Sequence, residues 1–294
     1  MNTMTVTASH LVGREEELGA ITRLLDARED LASVAVVAGE AGIGKTALWL
    51  AGIDAAAARG YRILSARPSE AETRYSFVGL ADLLGNAAGD LLRELPPIQR
   101  RALEAALLLG DSEIHADDRA VAAAFLAVLR LLAADAPVCL AVDDVQWLDT
   151  ASLAALRYFL ARLGHEPVAA LLAVRDDLPP WVRRAVPEDR LRTVDVRGLS
   201  VGATRELLRV RLGATFPRPT LIRLWETSRG NPFFALELAG ALQRRGGTLA
   251  PGQELPIPSS LDELLYARVD GLSPSAFEVA RARERSEVRG AAEG

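Results

Sequence analysis

The amino-acid sequence predicts an α/β fold in two parts: a three-layer sandwich around a parallel five-stranded sheet, and then a small all-α domain. Three observations predict it. Five apolar, strand-like runs alternate with helical segments over residues 33–196, as in parallel sheets covered by helices on both faces. Polar residues directly follow the first, third and fourth runs, which places them at one edge of the sheet. After residue 198 the chain has only helical segments, which Gly and Pro separate.

Composition and charge exclude several classes of protein. With 294 residues and 50% hydrophobic content, the chain can bury a sizeable core. A net charge of −5 gives no global attraction to nucleic acid or to an anionic membrane. Cys139 is the only cysteine, and His10, His115 and His165 are scattered, so we expect neither a disulfide framework nor a histidine metal site. There is no secretory pattern and no apolar run of about 18 residues, which predicts a cytoplasmic protein without membrane contact.

Each predicted element has a local reason. Strands are predicted where β-branched and other apolar residues run together, at 33–38, 61–66, 138–142, 168–174 and 191–196. Helices are predicted where apolar residues recur at helical spacing or alanine dominates, at 10–25, 46–59, 117–134 and 150–163. Residues 68–110 are predicted to form a helical excursion that Pro and Gly interrupt.

The turn after the first strand matches the phosphate-binding pattern G-x-x-x-x-G-K-[ST] at every position. Its residues are Gly39, Glu40, Ala41, Gly42, Ile43, Gly44, Lys45 and Thr46. The glycines allow positive φ and close backbone approach, so that successive N–H groups can bind phosphate oxygens in one concavity. The N-terminus of the next helix favours negative charge, Lys45 can reach the β- and γ-phosphates, and the Thr46 hydroxyl can ligate Mg²⁺. The turn therefore predicts a nucleotide-phosphate site.

Two adjacent carboxylates follow the predicted strand 138–142. A carboxylate at the end of a strand beside a phosphate loop commonly orients Mg²⁺, which prefers octahedral oxygen ligands, so Asp143 is predicted to be a metal residue together with Thr46. Asp144 projects differently and is predicted to polarise the attacking water. A solvated turn is the alternative for both residues. Asp149 is predicted to cap the next helix rather than to take part in the chemistry.

Two further residues are candidates for nucleotide contact. Arg175 ends the fourth strand, where a cation would face the γ-phosphate, and the planar guanidinium suits that role. An ion pair with Asp176 or Asp177 is the alternative. Pro232 follows a Gly-Asn pair, and from the sequence pattern alone it is predicted to begin a helix rather than to line the nucleotide.

Five stretches together resemble the ATPase core of the LuxR-type large ATP-binding transcriptional regulators, which are members of the STAND class of AAA-related P-loop ATPases. They are LVGREEEL at 11–18, GEAGIGKT at 39–46, AVDDVQWLD at 141–149, LLAVRD at 171–176 and RGNPFFALEL at 229–238. The resemblance covers about residues 10–274. Together these stretches are far more specific than the phosphate loop alone.

The resemblance implies roles for several residues. Gly13 and Arg14 would lie at the base side of the nucleotide, Arg175 would sense the γ-phosphate, and Pro232 would contact the nucleotide from a helical lid. The strand that ends at Arg175 would lie between the phosphate-loop strand and the strand before Asp143. Family members use ATP/ADP exchange as a slow switch, so the expected cofactors are ATP or ADP and Mg²⁺, and self-association on ATP binding is expected with them.

Pattern and resemblance together predict four segments. They are a P-loop ATPase domain at 1–198, a helical lid domain at 199–247, a linker with the start of a winged-helix-like region at 248–282, and a disordered tail at 283–294. The family continues with sensor and helix-turn-helix domains, whereas this sequence ends in ARARERSEVRGAAEG. We therefore expect a truncated chain that does not bind DNA.

The main hypothesis from the sequence is a Mg²⁺-dependent, slowly hydrolysing ATP switch whose lid closes on the P-loop domain when the γ-phosphate is present. Two alternatives remain open. One is a P-loop kinase for a small acceptor, in which Arg205, Arg209 and Arg211 could be the lid arginines. The other is a nucleotide-binding scaffold without turnover.

Overall fold

The structure of the chain is a computed structural model, and it describes residues 11–26, 32–109, 116–246 and 255. The chain divides after Gly198 into two compact units. Apart from Leu255, the predicted linker and winged-helix-like region (248–282) lies outside the described residues, and so does the predicted tail (283–294).

The first unit alternates helices and strands. In chain order its elements are α1 (Glu15–Asp26), β1 (Ser33–Gly39), α2 (Lys45–Ala57), β2 (Arg62–Ala66), α3 (Val78–Leu84), α4 (Ala88–Leu91), α5 (Pro97–Ala106), α6 (Asp118–Asp135), β3 (Val138–Val142), α7 (Thr150–Leu160), β4 (Val168–Arg175), α8 (Pro180–Ala185) and β5 (Leu191–Asp195). The predicted helical excursion between β2 and α6 is confirmed, and it comprises α3, α4, α5 and short 3-10 turns.

The five strands form one parallel sheet in the order β2-β3-β4-β1-β5. This confirms the predicted α/β class and the parallel five-stranded sheet. It also confirms that β4 lies between β1 and β3, as the resemblance implied. The register places Arg175 of β4 beside Gly39 of β1, which brings the end of β4 to the start of the phosphate loop.

Helices cover both faces of the sheet, so the unit has three layers. Alternate residues of β1 belong to different apolar clusters: Val34 and Val36 pack with residues of α3 and α5 to α8, and Ala35 and Val37 pack with residues of α1 and α2. Strands buried on both faces need apolar residues at every position, which explains the continuous apolar runs in the sequence.

The N-terminal helix is shorter than predicted. Its expected span was 10–25, but α1 begins at Glu15. Gly13 has a φ of 65°, a left-handed conformation that a helix does not continue through. The residues before Glu15 instead bring Arg14 to the phosphate loop, as described below.

The second unit contains the helices α9 (Val201–Leu212), α10 (Arg218–Ser228) and α11 (Pro232–Arg244), which agrees with the predicted small all-α part. Ser200 is the predicted N-cap of α9, and its side chain accepts a hydrogen bond from the Ala203 amide. Leu208, Leu224 and Leu238 come from the three helices and form its core. In the described part of the chain, none of the helices has the length and apolar character that crossing a bilayer requires.

Candidate nucleotide site at the ends of the strands

The phosphate loop follows β1 directly and has the backbone that its glycines predict. Gly42 and Gly44 have φ values of 74° and 103°, in the region that favours glycine. Gly39 also has a positive φ, 156°, and in addition a Cβ at this position would lie 2.7 Å from the carbonyl oxygen of Val196. The loop thus depends both on its own backbone conformation and on close packing against the chain after β5.

Lys45 is the only lysine in the chain, and every other basic side chain apart from histidine is an arginine. Its ammonium Nζ donates hydrogen bonds to the carbonyl oxygens of Gly39 and Glu40, each at 2.9 Å. Burial lowers the pKa of Lys45, while the negative charges of Asp144 and Asp143 oppose that effect. The ammonium is therefore held inside the loop, close to the carboxylates that follow β3.

The N-terminus of α2 lacks the side-chain cap that four other helices have, and so do the N-termini of α5 and α10, which have a proline at the cap position. Asp117, Asp149, Ser200 and Asn231 cap their helices with side-chain oxygens, whereas Gly44 caps α2 and has no side chain to do so. The first turn of α2 also carries no acidic residue. An anion such as phosphate fits a helix end that has no oxygen of its own there.

Asp143 and Thr46, the two residues predicted to hold a metal, are in contact beside the loop. The Thr46 side chain is hydrogen-bonded to the Asp143 carboxylate, which is almost completely buried. Burial raises the pKa of Asp143, and the hydrogen bond from Thr46 acts in the opposite direction. Groups of three or more His, Cys, Asp or Glu residues that could hold a metal by themselves are absent from the described residues. A hydroxyl and one carboxylate instead suit Mg²⁺ that is also bound to phosphate oxygens and water.

Arg67 was not predicted to belong to this site. It directly follows β2, and its Nε lies 3.7 Å from Oδ2 of Asp143. Arg67, Pro68, Asp143 and Asp144 line an open cavity of about 340 Å³. The signal that could have revealed Arg67 is its position after a strand, the same feature that singled out Arg175.

Asp144 is half-buried and has a φ of 44°, a left-handed conformation that is uncommon for a residue with a side chain. Its backbone N–H donates to Oδ1 of Asp143 at 3.1 Å. Its own Oδ1 accepts a hydrogen bond from Nε2 of Gln146 at 2.8 Å. The two carboxylates therefore have different hydrogen-bond partners.

Arg175 has an exposed side chain at the end of β4. Its guanidinium carbon lies 5.8 Å from the ring centre of Trp147, and its backbone N–H donates to Oε1 of Gln146 at 3.3 Å. In the part of the chain that the structure describes, Arg175 forms no ion pair with Asp176 or Asp177. Its positive charge lowers the pKa of Lys45, so the two cations lie near one another.

Asp149 caps α7, which confirms the prediction, and it also reaches beyond that helix. Its carboxylate accepts hydrogen bonds from the backbone N–H groups of Ser152 at 2.9 Å, Phe77 at 2.9 Å and Gly79 at 3.2 Å. The Ser152 hydroxyl accepts another from the Leu80 N–H at 2.8 Å. One buried carboxylate thus joins the turn after β3 to the start of α3, a contact across about seventy residues that no local pattern predicts.

The residues that the resemblance placed beside the nucleotide have defined local positions. Arg14 is buried and donates from its guanidinium to the carbonyl oxygen of Ile43 at 2.9 Å and to the carboxylate of Glu17 at 2.9 Å. It therefore connects the phosphate loop to the first turn of α1. Pro232 begins α11 after the cap Asn231. For Gly13, Arg14 and Pro232, contact with a nucleotide stays a prediction.

Comparisons with known proteins agree with the loop geometry. A family model described as AAA ATPase domain matches residues 10–172, which is more than half of the chain. No curated protein sequence matches the chain significantly. One solved structure that matches is a Signal Transduction ATPase with Numerous Domains (STAND) from Pyrococcus horikoshii, which carries a tetratricopeptide repeat sensor. That match has 18% identity and a TM-score of 0.45, and it covers 77% of this chain and 29% of the other. The chain thus spans less than a third of that protein.

Proposed function

Because the chain belongs to the AAA ATPase domain family, we propose that it binds ATP together with Mg²⁺, hydrolyses the ATP slowly, and serves as the nucleotide switch of a STAND regulator of the LuxR type. Nucleotide binding follows from the family. Dependence on Mg²⁺, slow turnover and the role in a transcriptional regulator are the proposed parts.

One observation carries the proposal: groups with complementary roles in phosphate chemistry meet at one edge of the sheet. The phosphate loop ends β1, the two carboxylates follow β3, and Arg175 ends β4, the strand between them. The charges of Asp143, Asp144 and Arg175 all act on the pKa of Lys45, so the four groups share one small region. An ion-pair network that only stabilised the fold would not require a phosphate-binding loop among its residues.

Each residue has a proposed role that follows from its chemistry. The loop N–H groups and Lys45 would hold the β- and γ-phosphates, and Thr46 and Asp143 would hold Mg²⁺. When bound, Mg²⁺ supplies neutralisation of phosphate charge. Asp144 would accept a hydrogen bond from the attacking water and orient it, and Arg175 would stabilise charge on the γ-phosphate. Gly13, Arg14 and Pro232 are proposed to contact the nucleotide, as the resemblance implies.

The proposal is tested with two variants in the same pair of assays, ATP affinity by calorimetry with Mg²⁺ and phosphate release over hours. Lys45→Ala removes the cation inside the loop, and we expect ATP affinity to fall by about 100-fold or more. Asp144→Asn keeps the shape of the side chain but is a poor acceptor for the water proton. We expect it to lower hydrolysis by about 100-fold, with ATP affinity within about 3-fold of wild type.

Arg101→Ala is the matched control, because it removes an exposed cation from α5 that belongs to no part of the site. This variant should have the ATP affinity and the rate of phosphate release of the wild type. Unchanged ATP affinity in Lys45→Ala would overturn the proposed site. Wild-type protein that binds ATP but releases no phosphate would favour the scaffold without turnover.

A further inference from the structure

A short turn joins the two halves of the proposed hydrolytic site. The 3-10 turn Val145–Trp147 follows Asp144 and approaches the end of β4, which carries Arg175. Two side chains of this turn, Gln146 and Trp147, contact Arg175. The proposed function assigns no role to either of these two residues.

The Gln146 side chain makes two different hydrogen bonds with its two ends. Its amide Nε2 donates to Oδ1 of Asp144 at 2.8 Å, and its carbonyl Oε1 accepts from the backbone N–H of Arg175 at 3.3 Å. Only one orientation of the amide satisfies both partners, because the reversed one would place an NH₂ group against a donor and an oxygen against a carboxylate. The side chain therefore connects Asp144 and Arg175 in one direction.

The sheet explains why the Arg175 N–H group is available to Gln146. The β3–β4 pairing ends at Val142 opposite Leu172, so Arg175 lies three residues beyond the last paired position on that side. A backbone N–H group past the end of a ladder is free to bond water or a side-chain acceptor, and this one is exposed. Gln146 supplies that acceptor from the chain that follows β3, and Trp147 faces the Arg175 guanidinium at a cation–π distance of 5.8 Å.

We propose that Gln146 is a positioning residue for ATP hydrolysis, which keeps the Asp144 carboxylate and the end of β4 in one arrangement. This inference rests on the proposed function and assigns a role to a residue outside its catalytic groups. When loss of the γ-phosphate lets the end of β4 move, the Gln146 side chain would then move the Asp144 carboxylate with it. A movement of Asp144 would in the same way move the end of β4. The Gln146 side chain is exposed, so its removal leaves no cavity in the core.

Two substitutions separate the two hydrogen bonds. Gln146→Glu keeps the acceptor for the Arg175 N–H but replaces the donor to Asp144 with a carboxylate that repels it. Gln146→Met keeps the length of the side chain and removes both bonds. Gln243→Met, at an exposed glutamine of α11 in the second unit, is the matched control.

The first readout is hydrogen exchange of the Arg175 amide in nucleotide-free protein, measured by NMR. We expect this amide to exchange several-fold faster in Gln146→Met and at the wild-type rate in Gln146→Glu, since the second variant retains the acceptor. The second readout is single-turnover phosphate release, which should fall by about 10- to 100-fold in both variants, as for other residues that orient a reacting group. ATP affinity should stay within about 3-fold of wild type in both, and Gln243→Met should match wild type in every assay.

This pattern differs from that of a residue which only stabilises the fold, because exchange and hydrolysis respond differently to the Glu and Met variants. Equal exchange of the Arg175 amide in wild type and Gln146→Met would overturn the connection, whatever the turnover. Wild-type hydrolysis in both variants would overturn the positioning role, and so would a parallel loss of ATP affinity. Wild-type protein without phosphate release would overturn the proposed turnover and the positioning role, while the exchange data would still decide whether Gln146 holds Arg175.

Discussion

The phosphate loop and the turn after β3 lie at the ends of two strands of one sheet, but they are held in different ways. Most contacts within the loop are local: Lys45 binds the carbonyl oxygens of Gly39 and Glu40, and glycines permit the backbone path. The turn depends on partners far along the chain, because Asp149 binds Phe77 and Gly79, and Gln146 binds Arg175.

This difference has a functional meaning. In the proposed switch, a loop held mainly by its own residues would keep its phosphate-binding shape when neighbouring elements shift, which suits binding of both ATP and ADP. A turn held by distant elements would change when those elements move, which suits the proposed response to the γ-phosphate. Substitutions in the two regions should therefore have different effects on stability and on nucleotide affinity.

The largest effect is expected from Asp149→Ala, which removes the distant attachment of the turn. The change leaves the N–H groups of Ser152, Phe77 and Gly79 without their acceptor. Buried donors without partners are costly, so we expect a loss of about 3 to 5 kcal/mol in the free energy of unfolding, measured with urea. Asp117→Ala is the control, because Asp117 caps α6 with one exposed hydrogen bond and should cost about 1 kcal/mol. Similar losses in the two variants would show that the contacts to Phe77 and Gly79 contribute little.

A smaller effect is expected from Gly39→Ala, which tests the packing of the loop against the chain after β5. The added Cβ would lie 2.7 Å from the Val196 carbonyl oxygen and 3.2 Å from Cγ2 of Ile43. Overpacking of this kind costs about 1 to 3 kcal/mol, and the positive φ of Gly39 adds backbone strain to that cost. We expect weaker ATP binding as well because the loop must shift. Gly202→Ala in α9 meets only the Ser200 hydroxyl at 3.9 Å and should be neutral or slightly stabilising. If Gly39→Ala kept both stability and ATP affinity, the loop would be independent of the chain after β5.

The smallest effect, in the opposite direction, is expected from Asp143→Asn in the absence of nucleotide and metal. Burial raises the pKa of Asp143 in the folded state above its unfolded value. At acidic pH the carboxyl is protonated in both states and has no charge penalty, whereas stability is lost as pH rises through the folded pKa. Asn carries no charge, so the variant should be more stable than wild type at neutral pH by about 1 kcal/mol, with the difference shrinking toward pH 4.

Urea unfolding at several pH values measures this difference. A variant that is less stable than wild type at neutral pH would mean that Arg67 and Thr46 compensate the buried charge fully. Such a result would add Arg67 and Thr46 to the distant partners that stabilise the turn after β3.

Much of the fold could be predicted because its signals are local and repeated. Apolar runs buried on both faces defined β1, β3 and β4, whereas the edge strands β2 and β5 are partly exposed. The predicted first and last residues of β3 agree with the structure. Helix ends were less accurate: α7 ends at Leu160 rather than near residue 163, and α1 begins late because Gly13 is left-handed. Such ends are decided by single residues and their contacts, which periodicity does not record.

In the candidate site, too, local signals were predicted and distant contacts were not. The residues of the phosphate loop, Asp143, Asp144 and Arg175 were identified because each follows a strand and carries a group with known phosphate or metal chemistry. Arg67 was missed, although it also follows a strand, because no motif marks it. The partners of Gln146 and Asp149 could not be predicted from local patterns, since they lie roughly 30 and 70 residues away in the chain.

The sequence by itself therefore determined what this protein binds. The order of strands and helices, the glycines of the loop and the single lysine specify a phosphate site through short-range sterics and charge. The tertiary structure decided how that site is connected. It placed β4 between β1 and β3, and within it Gln146 and Asp149 attach the turn after β3 to β4 and α3. The physical reason is that backbone groups at strand and helix ends must find partners, and only the folded chain determines which side chains come within hydrogen-bonding distance.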